Sequence, residues 1–143
     1  MIPDKSIADI NIGDDASFER TFTEADVVAF ANLSGDHNPL HMDAGYAAST
    51  RFGQRVVHGM LVASLCSTLV GMHLPGKRCL YLKQEITFHK PVFIGDILTV
   101  SGIVTSKSTV TGILNIAITI LKDEIVAMEG MAVVQVMDSK ATK

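Results

Sequence analysis

Two cysteines in a chain of 143 residues cannot build a disulfide framework, and Cys66 and Cys79 have no metal-binding spacing. Charge is sparse as well. Lys, Arg, Asp and Glu make up 19% of the chain and the net charge is −3, which gives no electrostatic case for nucleic acid as a partner. Long apolar runs are missing too. The most apolar stretch, Met60 to Met72, carries Ser64, Ser67 and Thr68 and is too short to span a bilayer. The first fifteen residues, MIPDKSIADINIGDD, have acids where a secretory signal has a basic region followed by an apolar one. The chain also lacks a G-x-S-x-G elbow and the glycine patterns of a dinucleotide fold or a P-loop. These absences predict a cytoplasmic protein with no nucleic-acid or membrane partner.

What is present is mostly apolar. Hydrophobic residues make up 48% of the sequence. The mean hydropathy of +0.32 is high for a soluble monomer and fits an oligomer that buries surface between subunits. The length suits one domain over residues 1–143. SFERTFTEADVVAFANLSGD reads as a short strand and then a helix, with Thr23 as N-cap, acids in the first turn and Gly35 as the stop. Val27, Val28, Phe30, Ala31 and Leu33 supply its apolar stripe. Asp43 caps a second short helix, AGYAASTRF, ended by Gly53. A third runs from about His58 to about His73, apolar nearly all around and therefore expected to be buried on most sides. The remainder is rich in Ile, Val, Thr and Phe and reads as four strands with short meander connections, which favour antiparallel neighbours. The expected class is α+β, an antiparallel sheet wrapped around one long apolar helix.

The segment SGDHNPLHMD, residues 34–43, sets an aspartate and a histidine on either side of a proline. Helical positions five apart diverge by about 140°, and Pro39 removes a backbone donor, so residues 35–40 are expected to form a loop. Such a loop can fold back and bring Asp36 and His41 to one point, where a carboxylate and an imidazole can hold and polarise water. The plainer alternative is that Asp36 braces a turn and His41 is an ordinary half-buried histidine. His37 and His41 are four apart, but the proline and the missing further ligands argue against a metal site. Gly59 sits where the apolar helix begins. Its N–H is free there, and the missing side chain allows a ligand carbonyl to approach. A simple turn glycine is the other reading, and His58 is read as a structural hydrogen-bonder.

With these residues in view, SGDHNPLHMDAGYAASTRFGQRVVHGMLVASL resembles the hydratase motif of the MaoC-like, (R)-specific enoyl-CoA hydratases. LPGKRCLYLKQEITFHKPVFIGDILTV, with its K-P-V-x-x-G-D turn, is similar to the same family, and the likeness covers about residues 15 to 136. The resemblance implies a hot-dog fold, a homodimer joined edge to edge, and reversible, stereospecific hydration of trans-2-enoyl-CoA to (R)-3-hydroxyacyl-CoA. Coenzyme A is then part of the substrate, with no further cofactor and no metal. By position, the resemblance makes Asp36 and His41 the catalytic pair. Asn38 helps orient the water or the histidine, the Gly59 N–H forms the oxyanion hole, and Ser67 supports the site. Ala44 stands where relatives often have proline, outside the catalytic set. Lys77, Arg78, Lys83 and Lys90 are candidates for the coenzyme A phosphates, with solvated surface charge as the plainer reading of each. The family spans polyhydroxyalkanoate monomer supply and other fatty acid metabolism, and carrier-protein thioesters stay open as substrates. The rival readings are a hot-dog acyl-CoA thioesterase and a non-enzymic acyl-CoA-binding domain.

Overall fold

Alternation of apolar and polar residues in the last third of the chain sets the scaffold. The structure is a computed structural model describing residues 1–138. In it five strands, β1 (Asp15–Thr21), β2 (Cys79–Phe88), β3 (Ile97–Lys107), β4 (Ile113–Lys122) and β5 (Ile125–Val136), form one antiparallel sheet in the order β1-β3-β4-β5-β2. Leu114, Ile116, Ile118 and Ile120 on β4 fall two apart and are all buried. Leu98, Val100, Gly102 and Val104 do the same on β3, so one face of the sheet is a continuous apolar surface.

That face packs on the apolar helix, formed by α4 (Gly59–Ala63) and α5 (Leu65–Met72). Val62, Leu65, Cys66, Leu69 and Val70 are buried against the sheet. Gly102 on β3 makes the approach possible: a Cβ there would stand 2.3 Å from a methyl of Leu69. The expected α+β layout, a sheet wrapped around an apolar helix, is present. Three shorter helices, α1 (Glu24–Ser34), α2 (Pro39–Met42) and α3 (Ala44–Ala48), precede it. Among the described residues no helix is long and apolar enough to cross a membrane.

Several expectations need correction. The apolar helix is buried on most sides, as expected, but it is not continuous. Ser64 interrupts it, its N–H shared between the Met60 and Leu61 carbonyls and its hydroxyl bonded back to Leu61 O at 2.6 Å. Met60, Ser64 and Ser67 leave an exposed stripe along it. The α1 stripe is narrower than its composition predicts: Val27 and Ala31 are fully buried, whereas Leu33 is 88% exposed. Thr23 does cap α1, accepting from Asp26 N–H, and Gly35 ends it at φ 81°. The second helix stops at Ala48, short of the predicted Gly53, although Asp43 caps it as expected. Finally, β3, β4 and β5 form the meander, but β2 pairs with β5 on the far edge rather than with β3. Ile94-Gly95-Asp96 turns the chain into β3 without making a hairpin.

Burial of Cys66 has a consequence for stability. Loss of solvation raises its thiol from an ordinary 9.0 to about 11. An unfolded chain ionises this thiol first, so the folded state loses stability as pH rises from about 9 towards 11, and none below that range. Burial moves Cys79 and Tyr81 in the same direction. Cys66→Ala should therefore reduce, without abolishing, the fall in urea midpoint across this window. An identical fall in both proteins would show that the thiol makes no contribution.

Candidate active site

The predicted loop is shorter than its proline suggests. Only residues 35–38 are non-helical, and Pro39 opens α2 instead of forbidding a helix. Proline fits the first helical position because its missing N–H would have no helical partner there. Asn38, held extended by the following proline, caps α2 by accepting the Leu40 N–H at 2.9 Å. Asp36 accepts the Asn38 N–H at 3.1 Å, an Asx turn that folds the chain back. Asn38 thus caps the helix that carries His41.

His41 sits in α2 and is clamped from the segment before α4. Its Nδ1 lies 2.7 Å from Val56 O, Leu40 O accepts the Val56 N–H, and Arg55 Nε donates to His41 O at 2.6 Å. Val57 N–H in turn donates to Val92 O at 2.7 Å, tying this segment to the chain leading into β3. A carbonyl can only accept, so Nδ1 of His41 carries the proton and its Nε2 offers a lone pair when neutral. That Nε2 is 3.9 Å from Asp36 Oδ2. A water about 2.8 Å from each would bridge the gap at an angle near 90°.

His58 does more here than its sequence context indicates. It is fully buried, lies on His41 with ring centroids 4.0 Å apart, and its Nε2 donates to Asp36 O at 3.0 Å. The aspartate loop is therefore hung from His58 and the histidine is backed by it. The one available signal, a histidine directly before the helix glycine, does not reveal a contact 22 residues away in sequence. His58 Nδ1 is buried without a partner.

Asp36, His41 and His58 bring ligand-type atoms within 4.8 Å of one another, so a metal must be considered. Their geometry does not fit one. Imidazole lone pairs lie in the ring planes, and rings stacked 4.0 Å apart at 29° cannot both aim at one ion about 2.1 Å away.

Gly59 begins α4, as expected, with His58 as its N-cap residue. Its amide is one of the first-turn donors that a helix leaves unpaired. A Cβ at Gly59 would stand 3.2 Å from the Phe88 ring, so the position has little room for a side chain. Gly59 and His41 line the same hollow of about 270 Å³, walled by Phe52, Val62, Phe88 and Ala127. Asp36 is not among the residues lining this hollow; its tie to it is the 3.9 Å approach of Oδ2 to His41 Nε2. Ser67 is not brought to it and lies on the exposed stripe of α5.

Comparison with known proteins identifies the family. The model of the MaoC-like domain family matches residues 9–125. The (R)-specific enoyl-CoA hydratase of Aeromonas caviae is 48% identical over 101 residues, covering 71% of this chain and 75% of that protein. The 3-hydroxybutyryl-CoA dehydratase of Methylorubrum extorquens is 34% identical over 139 residues, covering 95% and 88%. The solved (R)-hydratase from A. caviae involved in PHA biosynthesis superposes with a TM-score of 0.87 at 42% identity, covering 90% of this chain and 98% of that one.

Proposed function

The chain belongs to the MaoC-like family, and we propose that it is a hydro-lyase adding water reversibly and stereospecifically to trans-2-enoyl thioesters of coenzyme A, giving (R)-3-hydroxyacyl products. One observation carries the reading: His41 Nε2 faces Asp36 Oδ2 at 3.9 Å and shares a hollow with the Gly59 amide. A bridging water donates a hydrogen bond to each side chain and keeps a lone pair for Cβ. The Gly59 N–H holds the thioester oxygen and draws electron density away from Cβ. As the water attacks, one member of the pair takes its proton, and a proton is delivered to Cα on the same face. The enolate-like charge that develops falls on the oxygen held by the amide. The apolar wall of the hollow suits an acyl chain. Ser67 is kept as a supporting residue on the family resemblance alone.

The reading carries with it a cytoplasmic homodimer. Among the described residues the outer edge of β2 has no strand partner, and Leu80 and Leu82 on this strand are exposed, which a second copy would cover.

The test is purified protein with crotonyl-CoA and with a medium-chain trans-2-enoyl-CoA, following loss of the conjugated thioester and, in parallel, free thiol. Loss of conjugation without thiol, with product oxidised by an (R)-specific but not an (S)-specific dehydrogenase, is the expected result. Thiol release would replace the proposal with a thioesterase.

A variant at His58 separates support of the site from support of the fold. His58→Phe keeps a ring against His41, removes the donor to Asp36 O and deletes a buried unpaired nitrogen. Its urea midpoint should hold or rise. Its kcat should fall about 10- to 100-fold through misplacement of Asp36. Full turnover would mean that the loop keeps its position without His58.

A further inference from the structure

Of the ten lysines and arginines among the described residues, seven are paired with carboxylates. Three of the sequence candidates for phosphate contact are among them: Lys77 and Arg78 both reach Asp4, and Lys83 reaches Glu85. Lys107 donates to the Ile10 carbonyl instead. Two cations, Arg51 and Lys90, have no such partner among the described residues, and both line the hollow that contains His41 and Gly59. Because the remaining charges are largely neutralised in pairs and the chain is net acidic, these two form the available anion-attracting feature at the site.

Local structure prepares both for an anion. The Arg51 guanidinium lies over the Phe52 ring, 4.9 Å from its centre, and Phe52 is part of the same wall. Stacking holds the plane of the guanidinium while its N–H edge stays open for bidentate contact with oxygen pairs. Lys90 follows β2 on a short segment whose backbone is fixed: the His89 and Lys90 N–H groups both donate to Ala127 O, at 2.8 and 3.2 Å. His89 beside it is turned to Glu129 at 3.3 Å, which leaves Lys90 as the free cation on this side.

We propose that Arg51 and Lys90 form a phosphate-binding site that holds the carrier arm of the substrate thioester and feeds its acyl end to His41 and Gly59. The inference rests on the thioester hydratase reading and names the part of the substrate that reading leaves without a contact. The ligand chemistry is a phosphate or pyrophosphate on a pantetheine arm. It is shared by coenzyme A and by the phosphopantetheine of a carrier protein.

The test compares wild type, Arg51→Gln, Lys90→Gln and the double variant on crotonyl-CoA, crotonyl-phosphopantetheine and phosphate-free crotonyl-pantetheine. The double variant should raise KM for crotonyl-CoA about 5- to 20-fold with kcat little changed. The preference for crotonyl-CoA over crotonyl-pantetheine, as a ratio of kcat/KM, should shrink by the same factor. Lys83→Gln, a cation paired away from the hollow, should leave that ratio alone. If crotonyl-phosphopantetheine loses as much as crotonyl-CoA, the site reads the phosphate that carrier proteins share. A loss confined to crotonyl-CoA assigns it to the nucleotide end. An unchanged ratio in the double variant overturns the site. Calorimetric titration with free coenzyme A makes the same comparison without turnover. A Kd raised 5- to 20-fold supports the site even if no hydration is found, and an equal Kd, or no binding to wild type, rejects it.

Discussion

Asp36→Asn and His41→Gln should each lower the rate of crotonyl-CoA hydration by about 10²–10⁴-fold, with little loss of folded stability. The two side chains contribute differently to the local structure, which makes the pair informative. The Asp36 carboxylate accepts the Asn38 N–H at 3.1 Å, and an asparagine oxygen can accept it equally well, so the Asx turn survives. What disappears is the charge facing His41 Nε2. In His41→Gln the stack on His58 is lost along with the ring donor to Val56 O, at a cost of about 1 kcal/mol. Steady-state kinetics should then show the loss mainly in kcat, because the acyl chain would rest on the apolar side chains of Phe52, Val62, Phe88 and Ala127, which both variants keep. Near-wild-type turnover in either folded variant would remove that residue from the chemistry.

The largest structural effect is expected at Gly130, which is not among the residues lining the hollow. Gly130 on β5 lies between Ile118 of β4 and Ile86 of β2. A Cβ at this position would stand 1.8 Å from the Glu85 carbonyl oxygen, which belongs to the backbone of β2 and cannot rotate away. Gly130→Ala must therefore push β2 off β5. Because β2 is an edge strand, β5 is its one neighbour in the sheet. The expected destabilisation is roughly 1–3 kcal/mol, read as a lower urea midpoint at unchanged slope. Activity should fall as well. Phe88 ends β2, covers Gly59 and lines the hollow, so displacing the strand opens one wall of the site. A stable Gly130→Ala protein would show that the sheet can widen here without cost.

Much of this molecule follows from its amino acids taken in order. The period-two burial of Ile116, Ile118 and Ile120 defines a strand with one apolar face, and the capping box at Thr23 and Asp26 starts α1. Gly35 and Asp43 end and start helices through chemistry confined to a few neighbouring residues. The motif from Ser34 to Leu65 carried the family, because family signatures are read in sequence order. The proline was legible in kind but not in use. Pro39 excludes a helix interior, and only the Asn38 cap reveals that it begins one.

Other features depend on contacts between residues distant in the chain, for which no local rule exists. Strand order is one: both edges of the β3-β4-β5 meander offer hydrogen bonds, and the path from Phe88 to Ile97 decides that β2 takes the β5 side. Charge pairing is another. Lys77, Arg78 and Lys83 look as free as Lys90 in the sequence, but Asp4 and Glu85 take up the first three. The part played by His58 is the clearest case. Composition and spacing mark it as a histidine before a helix, whereas folding places its ring on His41 and its Nε2 on the Asp36 carbonyl. The sequence by itself determined most of the elements, the buried faces of the strands and the residue types offered at the candidate site. The tertiary structure decided which of those residues meet, because burial and hydrogen bonding act through space and do not depend on separation along the chain.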